Sequence, residues 1–166
     1  MITIREAIKK DASGIAAVHV ESWQTTYKGI IPQHFLDELS VGERTKLWNQ
    51  NLENRENMIF VAEDSSGIIG FITGGKRKEN TEVGATDLTS LYVLDACHGQ
   101  GIGRKLVDQL MHAFKKQGYK KVYVDVLADN ATRHFYTYLG ADYVKTVKVR
   151  IGGRLLNEEV YVFEIN

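Results

Sequence analysis

The stretch His-Gly-Gln-Gly-Ile-Gly-Arg at residues 98–104 is the most informative part of this chain. It follows residues 88–94, whose apolar character predicts a strand, and it precedes an amphipathic pattern that predicts a helix from Ile102. Alternating glycines at such a junction leave backbone N–H groups unpaired at the positive end of the helix, with no side chains in the way of a ligand. The turn therefore predicts a binding site for an anion such as a phosphate.

Two familiar phosphate-binding motifs match this turn poorly. A P-loop requires a Lys followed by Ser or Thr, and neither follows Lys105, so a P-loop hydrolase is excluded. A dinucleotide-binding turn requires Gly-x-Gly-x-x-Gly, but Arg104 or Leu106 occupies the position of the third glycine. Asp125 lies at about the spacing of a ribose-binding acid, which keeps a dinucleotide-binding enzyme open as an alternative. That fold usually begins with its glycine strand, whereas here a long segment comes first.

The composition limits the class of protein further. The chain has 166 residues, 43% of them hydrophobic, which is enough for one domain with a sizeable core. Lys and Arg total 21, as do Asp and Glu, so no net charge favours nucleic acid or an anionic membrane. The single cysteine, Cys97, cannot form an internal disulfide, and no cysteine and histidine spacing resembles a metal site. We see neither a secretory signal nor an apolar run that could span a bilayer, and we expect a cytoplasmic protein that binds no metal, nucleic acid or membrane.

The first third of the chain has helical patterns after a short alternating strand at its N-terminus. Apolar spacing predicts a helix over residues 11–27, with Asp11 as its N-cap. Pro32 is suited to the start of a second helical segment. Ser40 and Glu43 have the spacing of a capping box, which predicts the start of a third helix. This part of the chain is therefore predicted to be mainly helical.

The rest of the chain alternates predicted strands with two predicted helices. Helices are predicted over residues 102–116 and from Asn130 to Gly140. The predicted strands cover residues 58–63, 68–74, 88–94, 122–126, 142–150 and 155–165. A Ser-Ser-Gly turn joins the first two strands into a hairpin, and Gly152-Gly153 joins the last two. Helices followed by a mainly antiparallel sheet indicate the α+β class.

The glycine turn and a second motif resemble those of the GNAT superfamily of N-acetyltransferases, in particular its small single-domain bacterial members. The first family motif, Gln/Arg-x-x-Gly-x-Gly/Ala after a strand, matches residues 98–103 except that His98 replaces Gln or Arg. The second, Asn-x-x-Ala-x-x-Phe-Tyr-x-x-x-Gly-Phe, resembles residues 130–140, with a displaced alanine and with Ala141 replacing the last phenylalanine. The resemblance implies a GNAT-like fold with a mixed, mostly antiparallel central sheet of about six or seven strands and helices on both faces.

The resemblance also implies how the single domain, residues 1–166, is organised. Residues 1–57 would form the N-terminal strand and the acceptor-side helices, residues 58–128 the central sheet and coenzyme A cradle, and residues 129–166 the catalytic-tyrosine helix and final hairpin. The implied cosubstrate is acetyl-coenzyme A. The residues expected to bind it are Leu91, Tyr92, Val93, His98, Gly99, Gln100, Gly101, Ile102, Gly103, Arg104, Lys105, Asn130, Arg133, Phe135 and Tyr136.

Three residues are expected to contribute to catalysis. The resemblance implies that the Val93 N–H stabilises negative charge on the thioester carbonyl and that Tyr136 gives a proton to the leaving thiolate. An attacking ammonium must also lose a proton, and Asp87 is our candidate base. Its rivals are Glu21, Glu82 and His19.

The acceptor side of the site is specified least by the sequence. The front helices resemble those of many small bacterial family members, and we expect Glu21, Trp23 and Tyr27 to contact the acceptor. The expected reaction is transfer of acetyl to a primary amine of a small molecule or peptide by direct attack in a ternary complex. A non-catalytic coenzyme A-binding regulatory module is the first alternative, followed by the dinucleotide-binding enzyme. The identity of the amine and the presence of a homodimer stay open.

Overall fold

A sheet of seven strands runs through the protein, whose computed structural model describes residues 1–166. The strands are β1 (Thr3–Glu6), β2 (Met58–Asp64), β3 (Gly67–Gly74), β4 (Ala85–Val93), β5 (Lys121–Leu127), β6 (Asp142–Ile151) and β7 (Arg154–Glu164). Their order in the sheet is β1-β2-β3-β4-β5-β7-β6. Only β4 and β5 pair in parallel, so the sheet is mixed and mostly antiparallel, as expected.

Five helices pack against the sheet. They are α1 (Ala12–Thr26), α2 (Gln33–Asp37), α3 (Val41–Glu53), α4 (Ile102–Lys116) and α5 (Thr132–Tyr138). Alternation along β2 divides the core between the two faces: Ile59 and Val61 pack with α1 and α3, whereas Phe60 and Ala62 pack with α4. The α+β prediction with helices on both faces is thus confirmed. No helix has the length and apolar character needed to cross a bilayer.

The α4 helix is fixed by a continuous apolar face. Leu106, Leu110 and Phe114 follow one another at four-residue spacing, and all three are buried. Phe114 lies directly over Gly74 of β3, where an added Cβ would come within 2.5 Å of the Phe114 Cζ atom. The close approach of α4 to the sheet therefore requires a glycine at position 74.

The strands β4 and β5 diverge, and this divergence creates the space for a site. They pair over Ala85–Leu88 and Lys121–Val124 only. Beyond that point the two strands have no register in common, although β4 stays paired with β3 as far as Val93. The backbone groups on the β5 side of β4 are therefore left without a partner strand.

Most predicted elements are present, with two differences. The strand predicted over residues 88–94 begins earlier, at Ala85, because the polar residues Thr86 and Asp87 are buried in the parallel pairing with β5. Asp11 precedes α1 but does not cap it, so that detail of the prediction is wrong. Its carboxylate instead accepts hydrogen bonds from the Ile8 N–H and the Arg5 guanidinium, each at 2.8 Å.

Of the two other predicted caps, that at Ser40 is confirmed, and Asn130 lies one residue before the N-cap of its helix. The Ser40 hydroxyl accepts a hydrogen bond from the Glu43 N–H at 3.3 Å and starts α3. The Asn130 side-chain oxygen accepts one from the Thr132 N–H at 3.0 Å, at the start of α5. This bond supports the turn between β5 and α5, whose N-cap residue is Ala131.

Candidate active site

The glycine turn forms an open helix N-terminus. Gly99 and Gly101 have φ angles of +83° and +75°, a left-handed conformation that strongly favours glycine. The Lys105 N–H bonds to the Gly101 carbonyl at 3.1 Å, which leaves the earlier N–H groups of the first turn without helical partners. No side chain caps α4 and no acidic residue lies in its first turn, in contrast to α3 with its Ser40 cap. An anionic ligand would find unpaired donors here.

A cavity of about 500 Å³ lies beside this turn, and we call it the turn cavity. Its walls come from the end of β4, the turn, the start of α4 and one side of α5. Nine of the residues expected to bind the cosubstrate line it: Leu91, Val93, His98, Gly99, Gly101, Ile102, Gly103, Arg104 and Phe135. Four further lining residues were not predicted: Cys97, Thr132, Tyr138 and Leu139. Thr132, Tyr138 and Leu139 lie within the second motif, so the motif alone could have suggested them.

Close packing between α4 and α5 closes one wall of the turn cavity. A Cβ added at Gly103 would lie 3.3 Å from the Phe135 ring, so the ring approaches the first turn of α4 closely. Tyr138, in contrast, is 76% exposed at the outer end of α5. The third glycine of the turn therefore has a packing role, whereas Gly99 and Gly101 have a conformational one.

A second cavity, of about 290 Å³, lies between the diverging parts of β4 and β5, and we call it the splay cavity. It is lined by residues of α1, β4, β5, α5, β6 and β7 and by loop residues such as Tyr27 and Asn130. The two cavities share four lining residues: Leu91, Val93, His98 and Thr132. They therefore meet at the end of β4.

The backbone of β4 at this meeting point has a free edge. The Leu94 N–H donates to the Ile69 carbonyl of β3 at 2.9 Å. Because adjacent residues of an antiparallel strand direct their polar groups to opposite sides, the N–H and C=O of Val93 and Leu91 are directed away from β3. On that side β5 has already diverged. Val93 thus has a backbone N–H at the junction of the two cavities with no partner strand.

The side chain of His98 folds back onto this edge. Its Nε2 lies 2.9 Å from the Val93 carbonyl oxygen, and the ring donates there when Nε2 carries the proton. Its Nδ1 lies 3.5 Å from an Asp95 carboxylate oxygen. The ring therefore satisfies the carbonyl of Val93 and leaves only the N–H of that residue free.

Tyr136 lies in the wall of the splay cavity, one turn of α5 beyond Thr132. Its side chain is only 4% exposed and packs edge-on against Phe163. Burial raises the pKa of Tyr136, and neighbouring Tyr27 raises it further, so the phenol is protonated at neutral pH. A protonated hydroxyl thus faces the same space as the Val93 backbone.

Aromatic side chains form the wall opposite this hydroxyl. Trp23 lies in the last turn of α1 and Tyr27 directly follows the helix, with ring centroids 4.9 Å apart. The Trp23 Nε1 donates to the Tyr92 hydroxyl at 2.9 Å, and the Tyr27 hydroxyl lies 3.4 Å from it. Burial raises the pKa of Tyr27 and of Tyr92. Tyr92 was expected to bind the cosubstrate, yet its side chain belongs to this aromatic wall of the splay cavity.

The carboxylate and guanidinium side chains that line the splay cavity are those of Arg77, Asp125 and Glu158. Arg77 and Asp125 form an ion pair with each other. Glu158, on β7, has no ion pair or hydrogen bond within the protein. Burial raises the pKa of Glu158 and the charge of Asp125 raises it further, whereas Arg77 lowers it. Sequence reasoning missed this residue, although its position two residues before the buried Val160 places it on an apolar face of the strand.

The remaining predicted residues lie elsewhere. Asp87 is 6% exposed and lines neither cavity; its carboxylate accepts hydrogen bonds from the Arg77 N–H at 2.9 Å and the Asn80 amide at 3.1 Å. Glu21 is exposed on α1 and is absent from both walls. Arg133 pairs with Glu159 at 3.3 Å instead of facing the turn. Two more residues that are exposed and line neither cavity are Gln100 and Lys105.

The sheet excludes the dinucleotide-binding alternative. A dinucleotide-binding fold repeats parallel βαβ units, with most strands of its sheet parallel. Here β4 and β5 are the only parallel neighbours. The glycine turn therefore belongs to a different architecture.

Comparison with known proteins identifies that architecture. The chain is 32% identical to the N-acetyltransferase YuaI of Bacillus subtilis over 160 residues, which cover 95% of this chain and 90% of the relative. The structure of the PaiA N-acetyltransferase from Thermoplasma acidophilum in complex with coenzyme A has a TM-score of 0.78, with 21% identity and 99% of both chains covered. YncA from Salmonella typhimurium, solved with acetyl-CoA, has a TM-score of 0.77 and 21% identity over 99% of this chain and 94% of that one.

The sequence model of the acetyltransferase (GNAT) family matches residues 19–141, a segment that holds the glycine turn, β4, α4 and the whole of the second motif. It also includes the divergence of β4 from β5, on which both cavities depend. With this match and the relatives above, the chain belongs to the GNAT family of acetyltransferases and is an acetyl-CoA-dependent acyltransferase.

Proposed function

We propose that the protein transfers the acetyl group of acetyl-coenzyme A to a primary amine by direct attack, with both substrates bound together. The observation that carries this proposal is the meeting of the turn cavity and the splay cavity at Val93. One cavity has the features of a phosphate site, and the other contains a protonated phenol and an unpaired carboxylate. Two substrates that enter from the two sides would meet at the free edge of β4.

The residues of the turn cavity fit coenzyme A. A Cβ atom added at Gly99 or Gly101 would have no other atom within 4 Å, so the ligand side of the turn is open. The uncapped N-terminus of α4 provides backbone donors for a pyrophosphate, and Arg104 adds a positive charge to the same wall. Leu91 and Val93 have free backbone groups on the side where an extended amide chain could pair with β4. When bound, acetyl-coenzyme A supplies an acetyl thioester.

Val93 would stabilise the charge that develops during transfer. Its free N–H donates to the thioester carbonyl oxygen, and the donor is held in place by the pairing of β4 with β3. A preorganised backbone donor of this kind contributes about 3 kcal/mol to stabilisation of a transition state. His98 supports the arrangement by holding the carbonyl of the same residue.

Tyr136 would give its proton to the departing thiolate. Its hydroxyl is protonated at neutral pH because burial raises its pKa. The three segments of the chain divide the work in this proposal: residues 1–57 shape the acceptor side, residues 58–128 hold the cosubstrate, and residues 129–166 carry the phenol. The division is supported by Trp23 in the wall of the splay cavity and by the glycine turn in the wall of the turn cavity, although residues of α5 line both cavities.

Replacement of Tyr136 by Phe tests the assignment. We expect Tyr136→Phe to lower kcat for acetyl transfer about 100-fold, the usual size of a general-acid contribution, while binding of acetyl-coenzyme A is retained. The assay measures free thiol released from acetyl-coenzyme A in the presence of a panel of primary amines. Tyr143→Phe, on the exposed edge strand β6, is the matched control and is expected to retain full activity. Equal activity of wild type and Tyr136→Phe on every accepted amine would remove Tyr136 from the mechanism.

A binding experiment separates the enzyme from a non-catalytic coenzyme A module. Acetyl-coenzyme A at a hundred times its dissociation constant should stabilise the protein by about 2.7 kcal/mol, which a thermal shift detects. Stabilisation without thiol release for any amine would favour the regulatory module. Absence of stabilisation would contradict both hypotheses.

A further inference from the structure

The splay cavity contains one carboxylate, that of Glu158, with no ion pair or hydrogen bond in the protein. Its charged side chains are Arg77, Asp125 and Glu158, and the first two are paired with each other. No lysine lines the cavity, and both ring nitrogens of His98 are directed at oxygen atoms of residues 93 and 95. One negative charge therefore remains for a ligand to balance, because a half-buried carboxylate without a partner is costly.

The position of Glu158 is fixed by the sheet. The strand β7 lies between β5 and β6, and Glu158 is in register with Leu127 on one side and Val147 on the other. Leu127 belongs to the part of β5 that has diverged from β4. The carboxylate is therefore carried into the splay cavity by a strand that is paired on both edges, and it faces a space that Tyr136 and Val93 also line.

The charge balance of the cavity also discriminates between amines. An acceptor with a single ammonium group complements the one free carboxylate. An acceptor with a carboxylate on the same carbon would add a negative charge, and the only guanidinium in the wall is already engaged by Asp125. A volume of about 290 Å³ is at the small end of the range for ligand pockets, which favours a compact acceptor or the end of a longer one.

We propose that Glu158 binds the ammonium group of the acceptor and takes its proton, and that the acceptor is a primary amine without a carboxylate on the carbon that bears the nitrogen. This inference rests on the proposed acetyl transfer. The raised pKa of Glu158 supports it, since a base works best when its pKa lies closer to the operating pH. The aromatic wall of Trp23 and Tyr27 would contact the apolar part of the amine.

Each proton in this transfer has a defined donor and acceptor. The ammonium passes one proton to the Glu158 carboxylate, which later releases it to solvent. The neutral nitrogen then forms a bond with the acetyl carbon while the carbon–sulfur bond breaks, and Tyr136 gives its proton to the sulfur. The second proton lost by the nitrogen restores Tyr136. The products are the acetylated amine, free coenzyme A thiol and one proton.

Glu158→Gln and Glu164→Gln form a matched pair for the test. Both glutamates lie on β7, but Glu164 is exposed and lies outside the splay cavity. At pH 7 we expect kcat/KM for a simple amine to fall about 100-fold or more in Glu158→Gln and to stay within twofold in Glu164→Gln. The defect should shrink as the pH approaches ~10, where the amine loses its proton in solution. The groups that face Glu158 are Asp125, Arg77 and Tyr27, and they are the same in both variants.

The acceptor class is tested with pairs of amines that differ only in an α-carboxylate, for example tyramine and tyrosine, together with a short peptide that has a free N-terminus. We expect the plain amine to exceed its carboxylated counterpart by at least tenfold in kcat/KM. Activity with both the peptide and tyramine would support the acceptor class, because each has an ammonium group and no carboxylate on the carbon that bears the nitrogen. Equal use of tyrosine and tyramine would overturn the acceptor class.

Two further readouts separate this inference from the function on which it rests. The stabilisation of each variant by acetyl-coenzyme A should equal that of the wild type, which shows that the fold and the turn cavity are intact. The amine alone should raise the melting temperature of the wild type and not of Glu158→Gln, a result that needs no turnover. If the wild type transfers acetyl and Glu158→Gln has the same kcat/KM, the role of Glu158 is overturned and the proposed function stands. A 100-fold loss of kcat/KM in Asp87→Asn, with none in Glu158→Gln, would have the same meaning. Absence of transfer with every amine would overturn the proposed function.

Discussion

A partly buried histidine, His19, packs behind the aromatic wall and makes the stability of this protein sensitive to acid. His19 lies on α1, where its ring stacks on Tyr92 and its Nδ1 accepts a hydrogen bond from the Trp48 Nε1 at 3.1 Å. Burial lowers the pKa of His19 to about 4, and the charge of Arg44 lowers it further. Protonation would both charge a partly buried ring and remove the acceptor for Trp48.

The sign and size of the effect follow from linkage. In the unfolded chain the histidine has a pKa of about 6.5, so the unfolded state binds a proton before the folded state does. The contribution to stability is complete above about pH 6.5 and is lost as the pH falls from there to about 4. The difference between the pKa of His19 in the unfolded and folded states corresponds to about 3 kcal/mol of folding stability.

The contribution of His19 is measured by urea unfolding. The wild type and His19→Gln are compared at several pH values between 7.5 and 4. We expect His19→Gln to be the less stable protein at pH 7.5, because it loses the stacked ring. Its free energy of unfolding should then fall by about 3 kcal/mol less than that of the wild type on acidification to pH 4. Carboxylates such as Asp11, whose pKa the Arg5 guanidinium lowers, contribute to both proteins and cancel in the comparison.

A second variant controls for the loss of a histidine as such. His34 is exposed on α2, and His34→Gln should follow the wild type over the whole pH range. Parallel acid unfolding curves for His19→Gln and the wild type would show that the His19 ring is protonated in the folded protein, and the assignment of acid sensitivity to this residue would then be refuted.

Two glycine substitutions test the packing and the turn. Gly74→Ala should lower the free energy of unfolding by about 1–3 kcal/mol, measured with urea, because its Cβ would collide with the Phe114 ring; a change near zero would mean that α4 shifts freely on the sheet. Gly101→Ala and Gly118→Ala, at opposite ends of α4 with φ of +75° and +89° and open space around each, should both cost about 1–2 kcal/mol. Only Gly101→Ala should also weaken binding of acetyl-coenzyme A in a titration, and equal binding by both variants would argue against the turn as the anion site.

The fold was predictable where local chemistry and tertiary packing favour the same structure. The final hairpin follows from the turn geometry of Gly152-Gly153, and the helix α4 follows from the apolar face that runs from Leu106 to Phe114. Both predictions are confirmed. Asp11 has the residue type of an N-cap, but Arg5 lies within reach only after β1 has formed its pairing. Arg5, six residues earlier in the sequence, and the Ile8 N–H occupy the carboxylate oxygens, and the N-cap pattern does not show these contacts.

The candidate site also has a part that was predictable from local sequence and a part that was not. The residues of the turn follow one another in the sequence, so a motif identifies them together. The residues of the splay cavity come from six separate helices and strands, and their common position depends on the register at which β4 and β5 diverge. Asp87 and Glu158 illustrate the difference: the first lies on the expected strand but is held by Asn80, whereas the second lies on the last strand and faces the cavity.

The divergence of β4 and β5 also explains the unusual residue of the turn. A strand that loses its neighbour is left with both a free N–H and a free C=O, and each is costly when it is removed from water. The His98 ring reaches the Val93 carbonyl at 2.9 Å and satisfies one of the two. The remaining N–H is the donor that a carbonyl oxygen at the meeting of the two cavities would satisfy. A histidine at this position of the motif is therefore consistent with an intact cradle, because it supports the strand edge and leaves the phosphate contacts to the backbone of α4.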